Sequence, residues 1–465
     1  MREGTDLPIG KSAAESGSPE GQVLLGNCFA HGVGVSEDKT EAAKWYLKAA
    51  EQGNAQGQCD LGGCYMLGEC VPQDDAEAEK WCRQAAEQGY VPGWAGLGVC
   101  YLTSGLCGVS ENFAEAVKWL SKAADQGDVA GQCGLGMCYL GGLGVSEDCT
   151  EAAKWFRKAA EQGNETGQYQ LGNCYLGGSG VVEDATKAAK WYRKAAEQGF
   201  DEGQVALGNC YRYGIDIPED HTEAVQWFRK AAEQGSADAQ YLLGQCYLEG
   251  TGVPKDQEVG ASWCRQAAEQ GNTESMGTLS YLYDIGTGVP QDYTEATKWI
   301  RKAAEMGDVS AQCELGTRYF NGVGVPQDDA EALNWYRQAA EQGYANGQVA
   351  LGIHYANGAG VPQDYAKAVE WYHKSAEQGN AIAQCQLGEC YFNGWGTSED
   401  KAKAVEFYYQ AAEQGHPDAQ RLLGECYYYG WGVPEDDTLA VEWLRKAKEQ
   451  GIEEATQLLY EIEGG

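Results

Sequence analysis

An aromatic residue returns along this chain with a fixed period: Trp45, Trp81, Trp119, Trp155, Trp191, Trp227, Trp263, Trp299, Trp335, Trp371, Phe407 and Trp443 stand 36 residues apart, with one step of 38. A tandem period of that length describes an array, in which each repeat is one supersecondary motif that buries its apolar face against its neighbours. At 465 residues a conventional reading would expect two or three domains; the unbroken period favours one elongated stack. Twelve repeats are expected, at 18–53, 54–89, 90–127, 128–163, 164–199, 200–235, 236–271, 272–307, 308–343, 344–379, 380–415 and 416–451. Residues 1–17 read as a partial helix B remnant, ending in Ala13, Ala14, Glu15 and Gly17, and 452–465 as a polar C-terminal capping helix.

The repeat from Asn164 to Gly199 shows what each copy encodes. Leu171, Cys174 and Tyr175, with Gly167 and Gln168 a turn earlier, have the i, i+3, i+4 spacing of one helix face, helix A. Gly172 lies beside that stripe; a helix keeps a residue that costs about 1 kcal/mol against Ala only when something must approach closely. The Gly-rich segment to Val182 breaks the helix, and Asp184 is an N-cap for helix B. Seven repeats carry a Glu three places after the Asp or Asn cap (Asp38 with Glu41, Asp74 with Glu77, Asn112 with Glu115 and four more), the spacing of a capping box. Helix B then buries Ala188, Trp191, Tyr192, Ala195 and Ala196 and ends at Gly199, a left-handed C′ position filled by Gly in every repeat. Two helices of about 13 residues cannot bury both apolar faces alone. The expected fold is all-α, an α-solenoid of helix-turn-helix repeats.

The pattern A-Q-x-x-L-G-x-x-Y-x-x-G-x-G-V-P-x-D followed by A-x-x-W-Y-x-K-A-A-E-Q-G, clearest in Ala311–Gly343 and Ala383–Gly415, resembles the Sel1-like repeat, a relative of the tetratricopeptide repeat. The resemblance implies a right-handed superhelix that serves as a scaffold or adaptor, binding a protein or peptide without catalysis of its own. A structural spacer or regulatory arm of a larger protein is the alternative, and a secreted cysteine-rich effector a third. Cysteine-rich members of the family pair an early helix A cysteine with one at the end of helix B; here that second position is Ala50, Ala124, Ala304 or Ala376.

Eighteen cysteines are present, nine of them directly before the helix A tyrosine and four, Cys59, Cys133, Cys313 and Cys385, five residues earlier. Cysteines that far apart on one helix, or in equivalent places on stacked helices, are out of disulfide range. Small buried thiols are the better account, which favours a reducing, cytoplasmic compartment. Cys82 and Cys264 each stand where they could face the helix A cysteine of their own repeat, Cys64 and Cys246, and Cys70 could meet Cys107. No C-x-x-C occurs and the five histidines are scattered, so no metal and no cofactor is expected. Ser36 with Lys39, and Ser398 with Lys401, have S-x-x-K spacing but lie in acidic hinges with no companion motif; no enzyme is expected.

Sixty-nine acidic against 34 basic residues leave a net charge of −35. Such a surface keeps a long array in solution and attracts a basic partner, but it offers no basic stripe for nucleic acid. No apolar run is long enough for a membrane span. Specificity belongs where the repeats differ. On helix A these are the registers of Asn173 (Asn209, Gln245, Tyr281, Glu389, Glu425), of Gln170 (Asp60, Gln386) and of Leu176 (Arg212, Phe320, Phe392, Tyr428), which share a face that, by the resemblance, lines the concave groove. Trp395 and Trp431 join Phe392, Tyr428 and Tyr429 in an aromatic patch on two adjacent repeats, as binding anchors or as cover for the hinges. Ser280, in place of the usual Gly, is expected to loosen the packing of its repeat.

Overall fold

Alternating A and B helices are what the repeat pattern produces. The computed structural model describes residues 6–68, 70–106 and 111–464, and all regular structure among them is helical: α1 (Asp6–Glu15) through α26 (Glu453–Gly464), with repeat n contributing α2n as its A helix and α2n+1 as its B helix. The chain is an α-solenoid. It divides into two compact units, Met1–Ala239 and Gln240–Gly465, and within each unit every hairpin packs on the next.

Eleven of the twelve B helices begin at an aspartate whose carboxylate accepts backbone N–H bonds from the first turn, as Asp184 does from Lys187 at 2.9 Å. The exception is the third repeat, where α7 (Glu111–Asp125) already includes Asn112, so Asn112 is not the cap. Only half of the expected capping box forms. The cap N–H is already spent on the tyrosine carbonyl of the preceding A helix, Asp184 to Tyr175 at 2.9 Å and Asp74 to Tyr65 at 3.1 Å. The third-position glutamates turn outward to a lysine one turn on, Glu41 to Lys44 at 2.8 Å and Glu295 to Lys298 at 2.8 Å. At the other end, the closing glycine has positive φ in all twelve repeats, +95° at Gly199, and the next N–H, that of Phe200, returns to the Ala195 carbonyl at 3.2 Å.

Between A and B helices the close approach expected at Gly172 is real. A Cβ there would stand 2.5 Å from Cε1 of Tyr192, one of the largest fully buried side chains. Successive repeats are then joined by polar rungs. Gln168, on α10 (Glu165–Leu176), is 4% exposed; its Nε2 donates to the Ala160 carbonyl of the preceding repeat at 3.4 Å, and its Oε1 accepts from Gln198 of its own repeat at 2.8 Å. The same amide pair, thirty residues apart, recurs in ten repeats. Where it is missing, the A-helix glutamine has changed, together with its partner in the eighth repeat but alone in the third, which keeps Gln126. The eighth repeat has Met276, fully buried, and Met306 instead, and in the third Trp94 Nε1 reaches the Ala86 carbonyl at 2.9 Å as the glutamine would.

That natural double replacement makes a prediction. A buried amide left without its partner costs about 1–3 kcal/mol, whereas removing both partners together is nearly neutral. Gln378→Met alone should therefore lower the urea midpoint, since it strands the Oε1 of buried Gln348, which now accepts from Gln378 at 2.8 Å. Adding Gln348→Met should bring the midpoint back to within about 0.5 kcal/mol of the native chain.

The eighth and ninth repeats carry a second departure. On α18 (Val309–Asn321), Arg318 occupies the register that is cysteine in nine other repeats, and is 4% exposed. Its guanidinium pairs with Asp284 on α16 (Thr273–Ile285), donates to Ser280 Oγ at 3.1 Å and to Thr297 Oγ1 at 3.3 Å, and lies 3.1 Å from Glu314. The loosening expected at Ser280 does not occur: its hydroxyl, 2% exposed, is one anchor of a buried ionic group.

Candidate functional site

Several residues in the A-helix registers expected to carry recognition hold B-helix tyrosines in place. Asn173 is half-buried, and its Oδ1 accepts the Tyr192 hydroxyl at 2.7 Å; Asn27 does the same for Tyr46 at 2.7 Å and Thr317 for Tyr336 at 3.1 Å. Part of the variation in this register therefore answers to whether the B helix presents a tyrosine. Asn173 and Asn209 also line a cavity of about 260 Å³ with Glu202 and Asp238. Burial, and a hydrogen bond shared with Asp201, push Glu202 up to about 7, and the same bond holds Asp201 below its ordinary value. Arg212, farther along α12 (Asp201–Tyr213), lies over the ring of its neighbour Tyr213.

In the second compact unit, Gln245 donates to Thr278 Oγ1 at 3.3 Å, and both line a cavity of about 480 Å³ with Tyr281, which is 61% exposed. Phe320 sets its edge against His354, with ring centroids 5.2 Å apart. The aromatic patch is more continuous than its spacing suggested. Trp431 stacks on Tyr429 at 4.6 Å, takes Phe392 edge-on at 5.4 Å, and Tyr429 in turn meets Tyr428 at 4.7 Å. Tyr429 is 45% exposed, so the group forms a shelf open to solvent. Trp395 is not part of it: it stacks on Tyr365 of the preceding repeat at 5.5 Å, covering that hinge while remaining exposed on its other face. Beside the shelf, Glu425 is paired with Arg421 at 2.6 Å, and Glu389 accepts from Gln386 at 3.3 Å, its carboxyl raised by burial.

A group that the sequence marks only as one member of a variable register lies in the first compact unit. Asp60 on α4 (Ala55–Leu67) is a largely buried carboxylate whose Oδ2 accepts no hydrogen bond, and burial alone pushes it up to about 6. It opens onto a cavity of about 610 Å³. The signal was present in the sequence: this register is uncharged in every other repeat except at Glu314, and Glu314 lies against Arg318. The folded chain binds the Asp60 proton more tightly than the unfolded chain. The resulting stability is complete below about pH 4 and is lost as pH rises through 6. Asp60→Asn should accordingly be the more stable protein at pH 7, by about 2 kcal/mol after allowance for solvent screening, and should lose that advantage by pH 4. Urea titrations of both proteins at the two pH values check this.

The cysteines follow packing. Cys82 meets Cys100 of the next repeat, in a thiol hydrogen bond that with burial raises its pKa. Its partner is set by Gly96, one turn before Cys100: a Cβ on Gly96 would be 3.1 Å from the Cys82 sulfur. Cys264 is a free buried thiol, pushed up to about 12 by burial. Cys70 is a thiol, and Cys107, with which it was paired above, lies outside the described residues. Among the described residues no cluster of three His, Cys, Asp or Glu side chains is arranged to hold a metal, and no helix is long and apolar enough to cross a membrane.

A family model described as Sel1 repeat matches twelve times, at residues 19–54, 55–90, 95–128, 129–164, 166–200, 201–236, 237–272, 274–308, 309–344, 345–380, 381–416 and 417–452. Among solved structures, the chain is similar to a protective antigen of uropathogenic Escherichia coli strains that displays an SLR fold, with 35% identity over 97% of both chains and a TM-score of 0.56. It is also similar to a Sel1 repeat protein from Oxalobacter formigenes, with 34% identity over 66% of this chain and 90% of the other, and a TM-score of 0.54. No curated protein matches the chain.

Proposed function

Because the chain belongs to the Sel1 repeat family, whose repeats generally mediate protein–protein interaction, we propose that it is an adaptor without catalysis of its own, holding a protein or peptide along the face made by its A helices. The observation that carries this reading is the shelf of Phe392, Trp431, Tyr429 and Tyr428. Large aromatic rings held by one another on a rigid frame lose little entropy on binding, and such groups dominate interface energies. Glu389 beside the shelf and a net charge of −35 favour a partner with basic groups. The candidate contacts extend to Asn209, Gln245, Tyr281, Arg212 and Phe320, whereas Asn173 serves chiefly to hold Tyr192.

The test is affinity capture from the native lysate with the intact chain and with a variant carrying Trp395→Ala, Trp431→Ala and Tyr428→Ala. Proteins retained by the first and lost by the second support the shelf as the site. Equal retention moves the site to other A helices. An array that retains nothing specific is a spacer.

A further inference from the structure

The buried carboxylate in the first compact unit has no role in the stack, and its surroundings describe what it would take. Asp60 stands on the A helix of the second repeat, in a register that elsewhere is filled by residues such as Leu24, Gly96, Ala206 and Leu422, so packing makes no demand for an acid. A buried charge without a partner is costly and is retained where it serves a site. The one other acid in the register, Glu314, lies against Arg318, 3.1 Å away; Asp60 has a buried Oδ2 that no group reaches. The cavity of about 610 Å³ in front of it combines apolar walls, Ala30 and Leu67, with the Tyr46 ring and a second carboxylate, Glu37. Gly63 leaves the floor open, with no atom within 4 Å of where a Cβ would stand. His31 and Lys39 also line the cavity, yet the displacement of Asp60 from its ordinary range comes from burial and not from either cation.

We infer that this cavity receives a lysine side chain of a partner peptide, its aliphatic stem along Ala30, Leu67 and Tyr46 and its ammonium on the Asp60 carboxylate. The inference rests on the peptide-binding reading above and deepens it by naming a side chain and a second place of contact. Lysine is preferred to arginine because Oδ2 is enclosed, so the carboxylate cannot offer a ligand the two acceptors side by side that match a guanidinium, and a compact point charge needs only one. The stem accounts for the apolar walls, since long cationic side chains bury their methylenes and direct the charged end to its counter-ion.

The experiment uses the full chain and a fluorescein-labelled nonapeptide of glycine and serine with one central lysine, compared by anisotropy at 0.15 M salt with the same peptide carrying norleucine. The native chain should bind the lysine peptide at least about fivefold more tightly, and Asp60→Asn should reduce that ratio to about one. The variant changes a net charge of −35 by one unit, so general attraction of a cation to the acidic surface survives it. A preference that persists in Asp60→Asn, or a native chain with no preference, overturns the assignment. Trp431→Ala keeps the two readings apart: it should leave the lysine preference intact, and if capture depends on Trp431 while no lysine preference exists, the cavity assignment fails and the adaptor reading stands. Because Asp60→Asn relieves an unpaired buried charge, the variant should fold at least as well as the native chain.

Discussion

Gly172→Ser should destabilise the fifth repeat by about 3 kcal/mol, read as a lower urea midpoint and as faster amide exchange through α10 and α11 (Ala185–Glu197). The added Cβ would fall 2.5 Å from Cε1 and 2.7 Å from Cδ1 of Tyr192. That ring has nowhere to go: it is 2% exposed and its hydroxyl is fixed to Asn173 at 2.7 Å. Overfilling a packed core costs about 1–3 kcal/mol, and the upper end applies because α10 and α11 would have to separate. The chain also contains its own remedy. In the eighth repeat Ser280 stands where Gly172 does, and the B-helix residue opposite is Ile300. A double variant, Gly172→Ser with Tyr192→Ile, should therefore be more stable than the two single losses added together, with a coupling of about 1–2 kcal/mol. Strict additivity would show that the close approach is not what the glycine serves.

The second large effect is expected at Arg318. Arg318→Ala strands Asp284, leaves Ser280 and Thr297 without their donor and opens a cavity between the eighth and ninth repeats. Removing one member of a buried ion pair costs about 3–5 kcal/mol, and the 24% exposure of the Asp284 side chain places the loss at the lower end, about 3 kcal/mol. The other repeats again supply the rescue: Arg318→Cys, Asp284→Leu and Ser280→Gly together convert the site to the residues most common in each register. Replacing a whole ionic group by well-packed apolar residues is often neutral or stabilising, so the triple variant should recover most of the loss in a urea titration. If Arg318→Ala alone unfolds no more easily than the native chain, the group is not holding the two repeats together.

These residues also mark how far the sequence could be read. The solenoid was legible because its determinants are local and repeated: a stripe at helical spacing, an aspartate cap, a glycine that ends each B helix. Gly172 was legible for the opposite reason, being a costly residue in a helix interior. What escaped were pairings across distance. Gln168 reads as one more small or polar residue on a face until Gln198, thirty positions on, is seen to meet it. The capping boxes failed because a tyrosine carbonyl in the previous helix had taken the N–H that the glutamate would have satisfied. At the candidate site, Trp431 and Phe392 were picked from their type and register, but Trp395 was grouped with them by sequence proximity, and the loop geometry sends it to Tyr365. Asp60 was visible only as one variable position among many; its isolation follows from what the fold places, and fails to place, around it.

The glutamine pairs and the Arg318 group differ in a way that bears on how such a gene can change length. Each glutamine pair is contained within one repeat, as Gln22 with Gln52 is, so duplicating or deleting a repeat carries both partners together and leaves every remaining pair intact. Arg318 and Asp284 belong to different repeats. A recombination event that fell between them would create one repeat with a buried cation and another with a stranded acid. Nine repeats of this chain, those that carry the glutamine pair and no ion pair to a neighbour, are thus interchangeable units for duplication, while the eighth and ninth can be inherited only as a couple.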